Sequence, residues 1–178
     1  MLSEIFMQIK DQWVRAKYQK KHPFRNLVLS TVTEKGIPKS RTVVLRDFDP
    51  QRMVLTIYTD RRSQKINELR VQKEASLLFY DPKKLWQIQV AVQLEKQSGD
   101  AKPFYLMPPP AQKDYTTALP PGSEITNPDA VHYNGEQHFF VALQFKIYCI
   151  ESLKLKRPNH VRSRFDLDNG WSGCYLTP

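Results

Sequence analysis

Cysteine is scarce in this chain: Cys149 and Cys174 are the only two among 178 residues. They have neither Cys-x-x-Cys spacing nor the density of a secreted disulfide scaffold. The expected state is a pair of thiols in a reducing compartment, with no structural zinc site. Apolar runs long enough to span a membrane are also missing, and the first residues alternate charge with hydrophobics instead of forming a signal sequence. These absences give the expectation of a cytoplasmic protein without a membrane partner. Missing as well are the aromatic-and-basic pattern of RNA-binding sheets and the spacings of zinc fingers and helix-turn-helix units.

Acidic residues are outnumbered, 18 against 27 Lys and Arg, for a net charge of +9. The positive residues fall in three clusters, Lys10 to Arg25, Arg61 to Lys73 and Lys154 to Arg164, none of them an unbroken run. With no nucleic-acid motif to absorb it, this charge is read as attraction for a phosphorylated small molecule, over a background of solvated lysines. A hydrophobic share of 40% and a charged share of 25% fit an ordinary globular protein. The length fits one domain over 1–178, long enough to bury a core without staples.

Residues 2–18 place Leu2, Ile5, Phe6, Ile9, Trp13 and Ala16 at helical spacing, with Ser3 as the expected cap. After His22-Pro23, residues 27–33 and 37–48 read as a hairpin turning at Gly36, and 53–59 as a third strand. Residues 63–72 switch to helical spacing, with Ile66 and Leu69 inward and Gln64, Asn67, Arg70 and Lys73 outward. Residues 75–80 form a short apolar strand. Residues 85–95 alternate strictly, with Trp86, Ile88, Val90, Val92 and Leu94 on one face and Gln87 on the polar one. Seven of the thirteen prolines lie between 103 and 128, which breaks any long element there. The insert of about 98–135 leaves room for a short helix near 111–119 and a long mobile loop over 122–135. A strand resumes at 139–150 and the chain closes at 171–176. Short strands without a repeated strand-helix rhythm predict a mainly β, α+β protein built on a closed or nearly closed antiparallel barrel.

One constellation carries chemistry. Ser40-Arg41-Thr42-Val43-Val44-Leu45-Arg46 is followed by Tyr58-Thr59-Asp60-Arg61-Arg62-Ser63-Gln64-Lys65. Two cations bracket an apolar strand, and a second strand runs into a helix start rich in hydroxyls and positive charge. Helix N-terminal N–H groups, the Thr59 and Ser63 hydroxyls, and Arg41 and Lys65 can converge on one phosphate. Spacing alone leaves a solvated basic turn equally open. The Gln87 amide, able to donate and accept at once, suits the edge of a heteroaromatic ring, although such a residue is more often simply solvent-exposed.

These residues, with Ala75-Ser76-Leu77-Leu78-Phe79-Tyr80 and Gln87-Ile88-Gln89-Val90 after them, resemble the pyridoxamine 5'-phosphate oxidase-like family of FMN-binding split β-barrels. A weaker likeness returns in Val161-Arg162-Ser163-Arg164-Phe165 and Trp171. The resemblance implies an FMN-dependent oxidoreductase acting on a small molecule, working as a homodimer with FMN at the subunit interface. It implies phosphate contacts from Arg41, Ser63 and Lys65, and flavin contacts from Thr42, Val43, Val44, Leu45, Arg46, Tyr58, Thr59, Gln64, Gln87 and Arg164. The Trp13 helix and the apolar face of the Gln87 strand are surfaces that such a dimer is expected to bury. Departures from the family pattern lie on the substrate side. Pro108 stands about where a phosphate-clasping arginine is expected, the Arg-x-His pair reads His160-Val161-Arg162, and a flavin-contacting tryptophan is not found near Ser152-Leu153. His160 and Arg162 are the catalytic candidates. His160 is one because an imidazole can both take and give a proton, with a plain surface histidine as the alternative. A flavin-binding carrier, sensor or reductase without pyridoxamine phosphate oxidase activity is the second functional reading.

Overall fold

The structure is a computed structural model describing residues 1–135 and 137–178. Helix α1 (Leu2–Tyr18) turns the predicted face inward: Ile9, Trp13 and Ala16 are fully buried, and Leu2, Ile5 and Phe6 pack beside them. The helix begins before the expected Ser3 cap. Met1 occupies the cap position, and its amino group donates to the Glu4 carboxylate at 2.6 Å. At the other end Arg25 Nη1 donates to the carbonyls of Ala16 at 3.2 Å and Lys17 at 2.8 Å. That contact satisfies acceptors which a helix terminus leaves open.

Strands β1 (Asn26–Val32), β2 (Pro38–Asp49) and β3 (Val54–Asp60) form an antiparallel meander. Its first turn is made by Gly36 at φ 77°, a conformation that favours glycine. Helix α2 (Gln64–Val71) follows, then β4 (Glu74–Asp81) and β5 (Trp86–Ser98). Strand β6 (Phe140–Lys154) closes the ring by pairing with β3, from Val54↔Lys146 to Asp60↔Phe140. Around the ring the order is β1, β2, β3, β6, β5, β4, a closed antiparallel barrel of six strands.

Strand β6 divides its outer edge between two neighbours. Residues 140–146 bond to β3, while 149–154 bond to β7 (Val161–Asp166), which in turn carries β8 (Gly173–Leu176). Its other edge holds β5 over almost its whole length, Trp86↔Lys154 to Ser98↔Ala142. The barrel is therefore closed at one end of β6 and extended into a flap at the other. The flap strand β7 has no counterpart in the sequence reading, because its residues alternate too briefly to announce a strand.

Alternation fills the interior. Leu27 and Leu29 of β1, Leu45 of β2, Leu55 and Ile57 of β3, Ile88, Val90 and Val92 of β5, and Leu143, Phe145 and Ile147 of β6 are all buried. Helix α1 and the short 3-10 turn after it (Pro23–Arg25) seal this core with rings: Trp13 lies 5.1 Å from Phe48 and 5.5 Å from Phe79, and Phe24 lies 5.6 Å from both Phe79 and Trp86. The Trp13 face and the apolar face of β5, expected to meet a second subunit, are thus consumed by the chain's own core. Physically, a six-stranded ring leaves its ends open, and an amphipathic helix covers one of them.

The proline-rich insert is short-helical, as expected, but its helices fall earlier. Helices α3 (Lys102–Tyr105) and α4 (Pro109–Lys113) replace the single helix expected over 111–119. Proline lies in the opening turn of each, where its missing N–H costs nothing and its fixed φ favours entry. Phe104 and Tyr115 from the insert pack with Phe140 and Ala142 on the outside of the barrel, against Tyr58 and Met107.

Trp13 Nε1 is buried without a hydrogen-bond partner among the described residues. Trp13→Ala is expected to cost about 3–5 kcal/mol through lost packing. Trp13→Phe removes the orphan donor along with part of the ring and is expected to cost about 1 kcal/mol or less. Urea unfolding of the three proteins reads the difference directly.

Candidate functional site

The alternation of β2 separates two groups of residues. Arg41, Val43 and Leu45 point toward the barrel interior and its end, while Thr42, Val44 and Arg46 point outward. At the barrel end Arg41 Nη2 donates to Glu68 Oε2 at 2.8 Å and Nη1 donates to Thr31 Oγ1. The Thr31 hydroxyl donates in turn to the same carboxylate oxygen of Glu68. Thr31 and Glu68 are both buried, so the guanidinium is held from behind by a closed ring of bonds.

Beside it, Lys65 Nζ donates to Thr59 Oγ1 at 2.9 Å and Ser63 Oγ at 3.1 Å, and the two hydroxyls lie 3.3 Å apart. Thr59 and Ser63 are buried at the end of β3 and the start of α2. Ser63 occupies the cap position, yet its hydroxyl faces Lys65 and Thr59 instead of capping the helix. Burial lowers the Lys65 pKa, and the nearby Arg41 charge lowers it further, with Asp60 and Glu68 offsetting part of the effect. Two cations held close enough to repel each other, over two buried hydroxyls and a helix start, form a fitting cradle for a phosphate.

The two arginines before Ser63 take no part in this cluster. Arg62 pairs with Asp60 at 2.7 Å and donates to the Thr117 and Ala118 carbonyls at 2.8 and 3.1 Å. Its guanidinium lies 3.3 Å from the Phe139 ring centre. Arg62 is a clasp between the β3 end and the insert. Arg61 faces the Phe139 ring at 5.3 Å.

On the outer face, Arg46 sits 5.4 Å from the Tyr58 ring centre. It lines a cavity of about 430 Å3 with Lys17, Arg25, Tyr58, Lys102 and Met107. Arg46 and Lys102 have no carboxylate partner among the described residues, whereas Lys17 is paired with Asp47 at 2.7 Å. Burial, then the Arg46 charge, lowers the Arg25 pKa.

The remaining predicted residues gather elsewhere. Gln87 on β5, Leu153 on β6 and Arg162 on β7 stand in register across three strands. Together with Glu151 they line a small cavity of about 90 Å3, and Arg162 is held by Glu151 at 2.8 Å. Arg164 is chelated by Asp166 at 2.9–3.0 Å. His160 is exposed, and its Nδ1 accepts a hydrogen bond from the Lys156 N–H at 3.2 Å. The structure thus brings Arg41, Thr59, Ser63 and Lys65 together, places Val44, Arg46 and Tyr58 on the adjoining outer face, and sets Gln87, Arg162 and Arg164 on another wall. Strands β2 and β5 are three steps apart in either direction around the six-strand ring.

Two members of the cradle were not anticipated, Thr31 and Glu68. A signal existed for one of them, since Lys65 and Glu68 are three apart on a helix and so share a surface.

A family model described as pyridoxamine 5'-phosphate oxidase, FMN-binding domain, matches residues 6–95, just over half of the chain. The chain belongs to this family. It is 29% identical over 174 residues to a pyridoxine/pyridoxamine 5'-phosphate oxidase of a Nostoc species, covering 97% of this chain and 72% of that protein. It is 31% identical over 98 residues to a protein of the same name from Legionella pneumophila, where the match spans 55% of this chain and only 45% of the relative. Among solved structures, an FMN-binding protein related to pyridoxamine 5'-phosphate oxidase from Nostoc punctiforme superposes with a TM-score of 0.77 at 21% identity, covering 96% of each chain. PhzG from Burkholderia lata, solved with tetrahydrophenazine-1-carboxylic acid, gives a TM-score of 0.77 at 19% identity, covering 97% of this chain and 92% of that one. At these identities the two structures speak for the fold. Among the described residues no helix is long and apolar enough to cross a membrane.

The Asp60–Arg62 pair is almost enclosed, with side-chain exposures of 4% and 18%. Removing one partner strands a buried charge, so Arg62→Ala is expected to destabilise by about 3–5 kcal/mol and to speed chymotryptic cleavage near Leu119 and Tyr133. Asp60→Ala combined with Arg62→Ala is expected to recover most of the stability but not the protection. Denaturant midpoints and cleavage rates measure the two effects separately.

Proposed function

We propose that this chain holds the FMN phosphate in the Arg41, Thr59, Ser63 and Lys65 cradle and acts as an FMN-dependent oxidoreductase on an anionic small molecule. The observation that carries the reading is the pair of adjacent cations over buried hydroxyls at the start of α2, within the segment that the FMN-binding family model matches. When bound, FMN supplies acceptance or delivery of hydride or single electrons at its ring. Everything else falls to the protein. Arg41 and Lys65 neutralise the phosphate, with Glu68 and Thr31 fixing the guanidinium. The outer face of Val44 and Tyr58 offers a platform next to the cradle. Arg46 and Lys102, which make no ion pair among the described residues, supply charge for an anionic substituent of the substrate, in a cavity that Asp100 also lines. Arg162, steadied by Glu151, is the better placed of the two catalytic candidates, and exposed His160 is the available proton carrier.

A homodimer belongs to this proposal. Gln87 lies on β5, three strands from β2 around the ring, and Arg164 lies on the β7 flap, which favours a second copy presenting them to a flavin anchored at Arg41. Neither the Trp13 face nor the interior face of β5 is available for that contact, which leaves the outward face of β5 and the β7 flap.

Substrate choice follows from what replaces the family's arginine. Pro108 is the cap residue of α4 and has no side-chain donor, so a clasp for a vitamin phosphate is weakened on that side. Weak or absent peroxide release with pyridoxamine phosphate is the expected result, and robust turnover contradicts the rebuilt substrate site. Robust turnover also excludes the carrier, sensor and reductase readings.

Arg41→Ala and Lys65→Ala are each expected to weaken FMN by about 10- to 100-fold, the range for hydrogen bonds to charged groups. Riboflavin, which lacks the phosphate, keeps its affinity in both variants. Fluorescence titration of the apoprotein tests this, and a chain that binds no flavin sinks the reading. The lowered Lys65 pKa adds a pH signature. Lys65 holds phosphate only while protonated, so FMN affinity falls as pH rises through that pKa, earlier than an ordinary lysine allows. Lys65→Arg, which stays charged throughout, is expected to flatten this decline.

A further inference from the structure

The largest groove beside the cradle is not accounted for by a flavin mononucleotide. It has a volume of about 740 Å3 and lies between the β1–β2 turn and the outer face of α2, a size typical of small-molecule sites. Glu68 belongs to both the groove lining and the cradle, and Gln64 and Lys39 of the lining neighbour Lys65 and Arg41 in the chain. We propose that this groove takes the adenylate half of a dinucleotide flavin, so that the cradle accepts FAD as well as FMN. The inference rests on the flavin reading of the cradle.

Three observations carry it. Ile37 and Val71, 51% and 58% exposed, both line the groove from opposite walls. Two exposed branched aliphatics facing one polar groove offer flat surfaces for a purine base, whose burial recovers the cost of exposing them. Lys35, Lys39 and Arg70 line the same groove and have no carboxylate partner among the described residues. They can serve the second phosphate of a diphosphate bridge.

Glu68 provides the third observation. It is 4% exposed, and its Oε1 is buried without a hydrogen-bond partner among the described residues. A buried carboxylate oxygen left open calls for a donor, and ribose hydroxyls or an adenine amino group supply one.

Apoprotein titrated with FAD, FMN and riboflavin tests the proposal by flavin fluorescence. FAD is expected to bind at least as tightly as FMN. Its flavin emission should change as the adenine is drawn away from the ring that it stacks on in solution. Lys39→Ala combined with Arg70→Ala is expected to weaken FAD about tenfold and leave FMN unchanged. Val71→Asp, on the exposed face of α2, is expected to weaken FAD alone. FAD binding weaker than FMN binding, or variants that weaken both flavins equally, overturns the groove assignment while leaving the FMN reading intact. Failure of all three flavins to bind overturns the cradle itself.

Discussion

Everything functional in this chain depends on how β6 distributes its hydrogen bonds. A strand of fifteen residues has two edges, and one of them is shared. While β6 bonds to β3, the six strands form a closed ring with no free edge to manage. Where β3 ends, the same edge is taken by β7. Closure brings the end of β3, with Thr59, against the strand that began the ring's far side. Release lets β7 carry Arg162 and Arg164 out onto a separate wall. Neither feature is local, and a sheet closed along the whole of β6 would lack that wall.

The ring also explains why the cradle is made of residues so far apart in sequence. Thr31 is the last inward residue of β1, Arg41 enters β2 beside it, Thr59 ends β3, and α2 covers the opening with Ser63, Lys65 and Glu68. Each strand contributes the position at which it leaves the core, where a polar side chain can point inward without meeting the apolar interior. Burying Arg41 and Glu68 there is tolerable because each satisfies the other and both share Thr31. An isolated charge in that place would carry a large desolvation cost.

Periodicity made much of this legible before any coordinates. Strict alternation in Trp86 to Leu94 marked β5 and its polar face, and the Ile5, Ile9, Trp13 and Ala16 spacing marked α1 to its last turn. Residue type and order group Arg41, Thr59, Ser63 and Lys65; in the structure the last three hydrogen-bond one another, and Arg41 lies near enough for its charge to act on Lys65. What sequence could not give was closure. Without it Glu68 looks like one more solvated carboxylate on a basic helix, and Thr31 like an unremarked strand residue. The same gap misled the reading of Trp13 and the β5 face. Apolar faces are visible in sequence, but which surface covers them depends on the pairing of β3 with β6, eighty or more residues apart. Short helices in the insert were misplaced for a related reason, since proline fixes where a helix is allowed to start more firmly than where it stops.

The cradle and the wall opposite it impose different requirements on a ligand. Arg41 and Lys65 respond to charge alone, and any phosphorylated compound of suitable reach satisfies them. Arg162 and Arg164 are held by Glu151 and Asp166 on another wall, with Gln87 two strands away in register with Arg162. In the proposed reading, a planar ring joined to a phosphate by a chain serves both walls. In the proposed homodimer, the Gln87 wall of one barrel completes the site begun at the Arg41 cradle of the other. The pairing of β6 with β3 sets how far apart the two walls stand within one chain.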